Sequence, residues 1–89
     1  MEFEFDSSKN EGNIAKHGIA LTVAVDFEFE TAKISRDTRR DYGEDRSVAY
    51  GFIADGLYAF VFTMRGEKMR LISLRKANQE ERDRHHGQT

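Results

Sequence analysis

The fold of this chain is decided by residues 47–76, which read SVAYGFIADGLYAFVFTMRGEKMRLISLRK. Three runs rich in Val, Ile, Phe and Tyr are separated there by Asp55-Gly56 and Gly66-Glu67. Such short turn sequences between apolar runs are the strongest local signal of a β-hairpin, because the tight turn needs positive φ, which Gly, Asn and Asp tolerate. The stretch therefore predicts an antiparallel β-meander with strands at residues 47–54, 57–65 and 68–75.

Two-residue loops at these turns would also determine how the strands pair. The resulting pairs are Ala54 with Leu57, Thr63 with Arg70, and Val61 with Ile72. One face of the meander would carry Val48, Tyr50, Phe52, Leu57, Val61, Ile72 and Leu74, and the other would carry Ile53, Tyr58, Phe60, Phe62, Met64, Met69 and Leu71. Apolar side chains on both faces indicate that the middle strand is covered on both sides or lies beside a binding surface.

Length and composition limit the classes of protein to which the chain can belong. Its 89 residues suffice for one domain, which would bury roughly 60–65% of the extended-chain surface. The absence of Cys excludes a disulfide framework and thiolate chemistry. No apolar run approaches the roughly 20 residues of a membrane span, and the acidic start is unlike a signal peptide, so we expect a cytoplasmic protein.

The net charge of −2 hides an asymmetry between two parts of the chain. Residues 1–35 hold three Lys against seven acidic residues, whereas residues 36–89 hold eleven Lys or Arg against nine acidic residues. A polyanionic partner would therefore have to meet a local basic patch rather than the molecule as a whole.

The segments around the meander predict an α+β order of elements. The predicted elements are a strand at 2–5, helices at 7–16 and 21–27, a strand at 30–35 and, after the meander, a helix at 77–86. Asp6-Ser7-Ser8 offers capping oxygens for the first helix, and Gly18 can adopt the left-handed conformation that ends it. Residues 36–46 are predicted to be a polar loop. The last helix has almost no apolar face, which predicts weak anchoring.

Two groups of residues, one near each end of the chain, form distinct motifs. The opening motif consists of FEFD at residues 3–6, Lys9, Asn13 and Lys16-His17-Gly18. The closing motif consists of Phe62-Thr63, Arg65-Gly66, Arg70, Ile72-Ser73, Arg75-Lys76-Ala77 and Glu81-Arg82. Together they resemble the BrnT family, which comprises ribonuclease toxins of bacterial toxin–antitoxin pairs.

The middle of the chain extends this resemblance to one branch of the family. The residues concerned are Asp37-Thr38-Arg39, Tyr42-Gly43-Glu44 and Arg46. Two positions depart from the family pattern. Phe5 stands where Trp is more common, and His85-His86 stand where a Tyr is often found.

The resemblance implies a RelE-like toxin fold: an antiparallel meander sheet with two N-terminal helices packed on one face, the other face open to RNA, and a C-terminal helix. It implies a toxin that cleaves RNA without a metal ion or other cofactor. It also implies neutralisation by a BrnA-like antitoxin whose DNA-binding part is ribbon-helix-helix, in a complex of two toxins and two antitoxins. DNA would be contacted only through the antitoxin, and no membrane would be involved.

Metal-independent RNA cleavage needs a base for the 2′-OH proton, cations for the charge that builds on the phosphate, and an acid at the leaving 5′ oxygen. Arg suits the cationic task because its planar fork binds two phosphate oxygens and stays charged. The matched motif makes Arg65 and Arg70 the candidate catalytic cations. The candidate substrate-binding residues are Arg75, Lys76, Arg46 and Glu81. Solvated strand ends would explain the same arginines without any site.

The predicted register divides these arginines between the two faces of the sheet. Arg65 and Arg70 share one face, whereas Arg75 points to the other. All three could therefore meet one phosphate only if a bulge or a strand end re-aims one of them.

Candidate residues for the proton transfers lie at the end of the first helix. His17 is the only side chain besides His85 and His86 whose ordinary pKa lies near neutrality. Lys16 could clamp a phosphate or act as the base, and Glu81 is a further candidate base. Lys16 and His17 would equally suit the last turn of a helix, where exposed carbonyls favour cations. No metal site is expected at His85 and His86, because adjacent histidines on a helix point about 100° apart.

Two other classes of function fit the same residues. The basic sheet could hold an antitoxin tail or nucleic acid as a binding module without catalysis. Alternatively, the chain could be a structural subunit of a small complex, which the nearly polar last helix favours. Incubation of the partner-free protein with labelled RNA separates a nuclease from a binding module, and light scattering on the protein alone tests the structural subunit.

Overall fold

A computed structural model describes residues 2–38, 41 and 43–87 of the chain. Its elements in chain order are β1 (Glu2–Glu4), α1 (Ser7–His17), a 3-10 helix (Leu21–Asp26), β2 (Glu28–Arg36), β3 (Ser47–Ile53), β4 (Gly56–Arg65), β5 (Lys68–Lys76) and α2 (Gln79–Gly87). This confirms the predicted α+β class. Arg39 and Tyr42 of the middle motif lie outside the described residues. Within the described ranges no helix is long and apolar enough to cross a membrane.

Within the described residues the strands form one five-stranded sheet in the order β1-β5-β4-β3-β2. The pairs from β2 to β5 are antiparallel, whereas β1 runs parallel to β5, with Glu2 opposite Lys68 and Glu4 opposite Arg70. The predicted antiparallel meander is confirmed, but the sheet as a whole is mixed. Hairpin turns dictate direction only for strands that a short loop joins. β1 reaches the edge of β5 from a distant part of the chain, so no turn constrains it.

The first hairpin turn lies one residue earlier than predicted. Phe52 rather than Ala54 pairs with Leu57, and the loop consists of Ala54-Asp55. Ala54 supplies the positive φ, at 53°. Relative to the prediction β3 is displaced by two residues along β4. Such a slip keeps every side chain on its face, because alternation has a period of two, so the hydrophobic pattern alone could not detect it.

A β-bulge in β5 changes the sheet more than the hairpin slip does. Val61 pairs with Ser73 and Phe62 pairs with Leu71, which leaves Ile72 as an extra residue on β5. The predicted pairing of Val61 with Ile72 is therefore wrong. One inserted residue reverses the face of every side chain that follows it on the strand.

The bulge separates a part of β5 that follows the prediction from a part that does not. Before it, Thr63 pairs with Arg70 as predicted. After it, Leu74 pairs with Phe60 and enters the buried core, on the face opposite to the prediction. Arg75, the next residue, consequently points to the same face as Arg70, which the predicted register had excluded.

The hydrophobic core lies on one face of the sheet, beneath the 3-10 helix. Phe60 and Leu74 are completely buried there. Phe27, which directly follows the 3-10 helix, packs edge-on against Phe60, with ring centroids 5.4 Å apart. Packing against Phe29, at 4.8 Å, extends this aromatic cluster. The burial of this face holds the 3-10 helix to the sheet, and backbone pairing joins β2 to β3.

The second predicted α-helix, at residues 21–27, is a 3-10 helix. Leu21 and Ala24 are completely buried, whereas Val25 is 67% exposed. Side chains at i and i+3 eclipse one another in a 3-10 helix. The tighter geometry therefore buries Leu21 and Ala24 together. Val25, which would lie on the same face of an α-helix, is left out.

The other two helices lie at the edge of the sheet and on its second face. α1 lies along the edge of β5 beyond the end of β1, where the Asn13 side chain bonds to the backbone of Leu74. α2 packs on the face opposite the core, over Tyr50 and Phe52. The predicted pair of N-terminal helices on one face is thus wrong. The short β1 leaves part of the β5 edge uncovered, and α1 covers that part.

Gly51 is a packing requirement of the core. A Cβ at this position would lie 2.6 Å from Cζ of Phe27 and 3.1 Å from Cβ of Ala32. Phe27 cannot move aside cheaply, because its ring is enclosed by Phe29 and Phe60. We expect Gly51→Ala to lower the free energy of unfolding by about 1–3 kcal/mol, as overpacked cores do. Urea denaturation measures the change.

Gly12→Ala is the matched control for this substitution. A Cβ at position 12 would meet no heavy atom within 4 Å. A glycine inside a helix costs about 0.5–1 kcal/mol relative to Ala, so this variant should be more stable than the wild type by that amount. An equal loss of stability in both variants would contradict the close packing of Phe27 on β3.

Candidate functional site

The face of the sheet opposite the core carries a groove of about 740 Å³. α1 forms one wall, β3 to β5 form the floor, and the end of β2 and the start of α2 complete the rim. The lining side chains that carry charge or chemistry are Lys9, Lys16, His17, Arg36, Asp37, Tyr50, Arg75 and Glu81. Val48 and Val61 give the floor an apolar centre. A concave surface with an apolar floor and a few convergent polar groups is typical of a binding site.

Arg75 and Glu81 form a two-bond ion pair in this groove. Nη1 of Arg75 donates to Oε1 of Glu81 at 2.7 Å, and Nη2 donates to Oε2 at 2.8 Å. Parallel bonds between a guanidinium and a carboxylate are among the strongest side-chain pairings. The Arg75 side chain is 30% exposed and the Glu81 side chain 9% exposed. The pair therefore fixes the plane of the guanidinium while keeping it at the surface of the groove.

Two further groups complete the surroundings of Glu81. The Tyr50 hydroxyl donates to Oε2 and the Asn78 backbone N–H donates to Oε1, each at 2.9 Å. Asn78 Oδ1 accepts in return from the Glu81 backbone N–H at 2.8 Å, which caps the start of α2. These bonds, with that from Arg75 the largest cause, lower the pKa of Glu81 to about 2. Glu81 is thus suited to hold Arg75 and poorly suited to act as a base.

Lys16 and His17 occupy the last turn of α1 and face the groove. Gly18 ends the helix with φ 72°, and its N–H donates to the Ile14 carbonyl at 2.7 Å. Burial first, and then the positive charges of Lys16 and Arg75, lower the pKa of His17. The lowered pKa favours the neutral imidazole, and Arg75 is near enough to influence it electrostatically.

Arg65 and Arg70, the predicted catalytic cations, do not line the groove. Arg70 donates to Asp6 at 3.1 Å and lies 3.7 Å from Glu4. Arg65 lies 3.8 Å from Glu44, and its side chain is 55% exposed. Carboxylates thus partly neutralise both guanidinium groups, and a catalytic role for them rests on the sequence motif alone.

The predicted substrate-binding residues fall into two groups. Arg75 and Glu81 line the groove, whereas Arg46 and Lys76 do not. Arg46 lies 3.3 Å from Glu44. Lys76 is exposed on the face opposite to Arg75, because consecutive strand residues point to opposite faces. The groove therefore brings together Lys16, His17, Arg75 and Glu81 from the predicted set.

Tyr50 is a site residue to which the sequence analysis assigns no role. Burial, and then the bond to Glu81, raise the pKa of its hydroxyl, so it remains a hydrogen-bond donor at neutral pH. The available signal was its position on the same face as Val48 and Val61. That signal was not sufficient, because the predicted register placed Arg75 on the other face.

His85 lies where α2 packs on β3. It is 6% exposed, and its ring meets the ring of Phe52 edge-on with centroids 5.6 Å apart. Burial, followed by the charges of Lys33 and His86, lowers its pKa. As predicted, α2 has no apolar stripe, and its buried residues are Glu81 and His85. Its weak anchoring stays a prediction. In the described part of the chain no group of three or more His, Cys, Asp or Glu is arranged to hold a metal ion.

The low pKa of Glu81 predicts that acid weakens the fold at this site. The pKa is about 2 in the folded protein and 4.5 in ordinary surroundings, so the stabilisation is complete above pH 4.5 and is lost as the pH falls towards 2. Such a difference corresponds to at most about 3 kcal/mol. We expect Glu81→Gln to be less stable than the wild type at neutral pH and to lose less stability below pH 4.5, measured by urea denaturation at each pH.

Glu80→Gln provides the matched control for that experiment. The Glu80 side chain is 84% exposed and pairs with Arg84 at 3.1 Å on the surface of α2. Exposed pairs of this kind contribute about 0–1 kcal/mol, so this variant should follow the wild-type pH dependence. If Glu81→Gln also follows it, the ion pair with Arg75 does not exist in solution.

A comparison with known families agrees with the motifs. A family model described as the ribonuclease toxin BrnT of a type II toxin–antitoxin system matches residues 5–81. No curated protein matches the chain. The matched span includes every charged side chain that lines the groove. Because the match covers most of the 89 residues, and because most of both motifs lies within it, the chain belongs to the BrnT family of ribonuclease toxins of type II toxin–antitoxin systems.

Proposed function

We propose that the groove is the active site of an endoribonuclease, which cuts RNA by attack of a 2′-OH on the adjacent phosphate without a metal ion. The observation that supports this most directly is that His17 and Arg75, which Glu81 holds in place, line the same groove. A base and a fixed cation facing one space are two of the three groups that this reaction needs.

In the proposed reaction His17 accepts the proton of the 2′-OH on an unprotonated ring nitrogen. The 2′ oxygen then bonds to phosphorus, and the bond between phosphorus and the 5′ oxygen breaks. The ammonium group of Lys16, beside His17 on α1, gives a proton to the departing 5′ oxygen. The products are a 2′,3′-cyclic phosphate and a 5′-OH, and exchange with water returns both side chains to their starting protonation states.

Arg75 stabilises the negative charge that develops on the phosphate oxygens. Its guanidinium remains charged at any relevant pH, and Glu81, supported by Tyr50, holds it in one orientation. A group already oriented before reaction spends no free energy on reorganisation when the charge appears. Because Glu81 balances its charge, Arg75 acts as a directed hydrogen-bond donor more than as a bare cation.

The remaining predicted residues serve the flanking RNA in this proposal. Arg70 lies on the groove side of β5, and Arg65, Arg46 and Lys76 lie farther from the groove. Contacts from such residues to phosphates strengthen binding without regard to sequence, and salt weakens them. Their assignment to catalysis stays a prediction from the motif.

Family membership also supports a proposal about partners. Type II toxins are paired with an antitoxin, and we propose a BrnA-like one with a ribbon-helix-helix part, in a complex of two toxins and two antitoxins. In that complex DNA is contacted through the antitoxin alone. We further propose that this single-domain protein has a RelE-like fold and acts in the cytoplasm, where it meets RNA.

Arg75→Ala should lower RNA cleavage by about a hundred-fold or more, as the loss of one transition-state donor does in other enzymes. Arg75→Lys should recover little of this loss, because an ammonium cannot reproduce the fork held by Glu81. The assay uses partner-free protein and end-labelled RNA, with circular dichroism to verify that each variant is folded.

Arg65→Ala is the control for Arg75→Ala, because it removes the same group from a strand of the same sheet outside the groove. It should reduce cleavage far less. The reverse pattern, with a large loss in Arg65→Ala and none in Arg75→Ala, would transfer the catalytic role from the groove to the motif arginines.

The lowered pKa of His17 predicts the shape of the pH–rate profile. A base must be neutral, so cleavage should fall as the pH drops through a pKa below 6.5. His17→Ala should lose about a hundred-fold or more in rate and should no longer show this acidic limb. Wild-type cleavage should persist in EDTA and yield 2′,3′-cyclic phosphate ends. An unchanged acidic limb in His17→Ala would exclude His17 as the base.

A further inference from the structure

α1 is attached to the sheet in an unusual way. Its only buried residue is Asn13, which is 5% exposed, whereas its one large apolar residue, Ile14, is 45% exposed. The helix that carries Lys16 and His17 therefore has no buried apolar face of its own. Its position has to come from directional bonds rather than from hydrophobic packing.

The Asn13 side-chain amide makes three hydrogen bonds. Its Nδ2 donates to the Leu74 carbonyl and to the Ile19 carbonyl, each at 2.8 Å. Its Oδ1 accepts from the Leu74 backbone N–H at 3.0 Å. Both N–H groups of the amide are thus used, together with one acceptor position of its oxygen.

These bonds replace the strand that is missing beside Leu74. β1 pairs with β5 only from Lys68 to Arg70, so the backbone groups of Leu74 on that edge have no strand partner. The Asn13 amide offers the same donor and acceptor pair as a peptide group. A helix residue thereby continues the hydrogen bonding of the sheet edge, which would otherwise leave buried backbone groups unsatisfied.

The hydrogen bonds between Asn13 and Leu74 connect the two sides of the groove. Leu74 directly precedes Arg75, while Lys16 and His17 follow Asn13 by one helical turn. The third bond, to Ile19, holds the chain just beyond His17 and Gly18. A short, rigid connection therefore joins the side of the groove that carries His17 to the side that carries Arg75.

We propose that Asn13 is a positioning residue, which sets the separation between His17 on α1 and Arg75 on β5 through its bonds to Leu74. The inference rests on the proposed function for its effect on cleavage, but the positioning itself can be measured without RNA. It assigns Asn13 no contact with the substrate.

The decisive variant is Asn13→Gln. It keeps the amide but lengthens the arm by one carbon–carbon bond, about 1.5 Å, so the protein can fold while α1 is displaced. We expect kcat to fall about ten- to a hundred-fold with KM little changed, since small misplacements of reacting groups cost up to that much. Asn13→Ala, which removes all three bonds, should have a larger effect.

Asn10→Ala is the matched control. Asn10 lies one turn earlier on α1, and its Oδ1 accepts from the Leu21 N–H at 2.8 Å, which ties the helix to the 3-10 helix and not to β5. Thermal unfolding of all variants separates loss of stability from loss of position. Asn10→Ala should lower the melting temperature without reproducing the drop in kcat at temperatures where it is folded.

An NMR titration of His17 supplies a readout that is independent of cleavage. In the wild type its pKa should lie below 6.5, and in folded Asn13→Gln it should return towards 6.5, because the imidazole moves away from its buried position and from Arg75. A wild-type pKa of His17 in folded Asn13→Gln, or an equal shift in Asn10→Ala, would overturn the positioning role. If the wild type does not cleave RNA, the proposed function fails, whereas the titration still decides the role of Asn13.

Discussion

The extra residue at Ile72 controls which side chains of β5 meet the core and which meet the groove. Without it, strand alternation would turn Leu74 towards the groove and Arg75 towards Phe60 beneath the 3-10 helix. An unpaired arginine buried there would cost several kcal/mol, and a Leu side chain would lose about 2 kcal/mol of hydrophobic burial. The bulge is therefore the arrangement that the core itself favours. The Arg75–Glu81 pair on the opposite face follows from the packing of apolar residues.

The molecule divides its stabilising interactions between the two faces. Apolar burial attaches the 3-10 helix and the residue that follows it through Leu21, Ala24 and Phe27. Hydrogen bonds attach the two helices that border the groove, through Asn13 for α1 and through Glu81 for α2. Hydrophobic contact is non-directional, whereas hydrogen bonds define orientation. Directional attachment is thus found where the proposed chemistry needs defined geometry.

The family motifs contain residues that assemble the fold and residues that line the groove, and the sequence did not distinguish the two. Arg70 of the closing motif bonds Asp6 of the opening motif, and the Asp6 carboxylate also caps α1 by accepting from the Lys9 N–H at 2.7 Å. This contact joins the two ends of the chain beside β1. A motif arginine can therefore be explained by assembly of the fold. Arg75, whose bulge-dependent orientation no pattern revealed, has the stronger geometric claim to the site.

Local features of the protein could be read from its residues in order. Alternation and turn residues indicated the meander, Gly18 the end of α1, and the paired motifs the family. Tertiary structure alone decided the bulge, the 3-10 geometry at Leu21, the parallel pairing of β1 and the convergence of His17 with Arg75. The physical reason is that alternation, caps and turns act within a few residues. The register of the strands, and the face of the sheet on which each side chain lies, depend instead on how residues far apart in the chain pack together in one core.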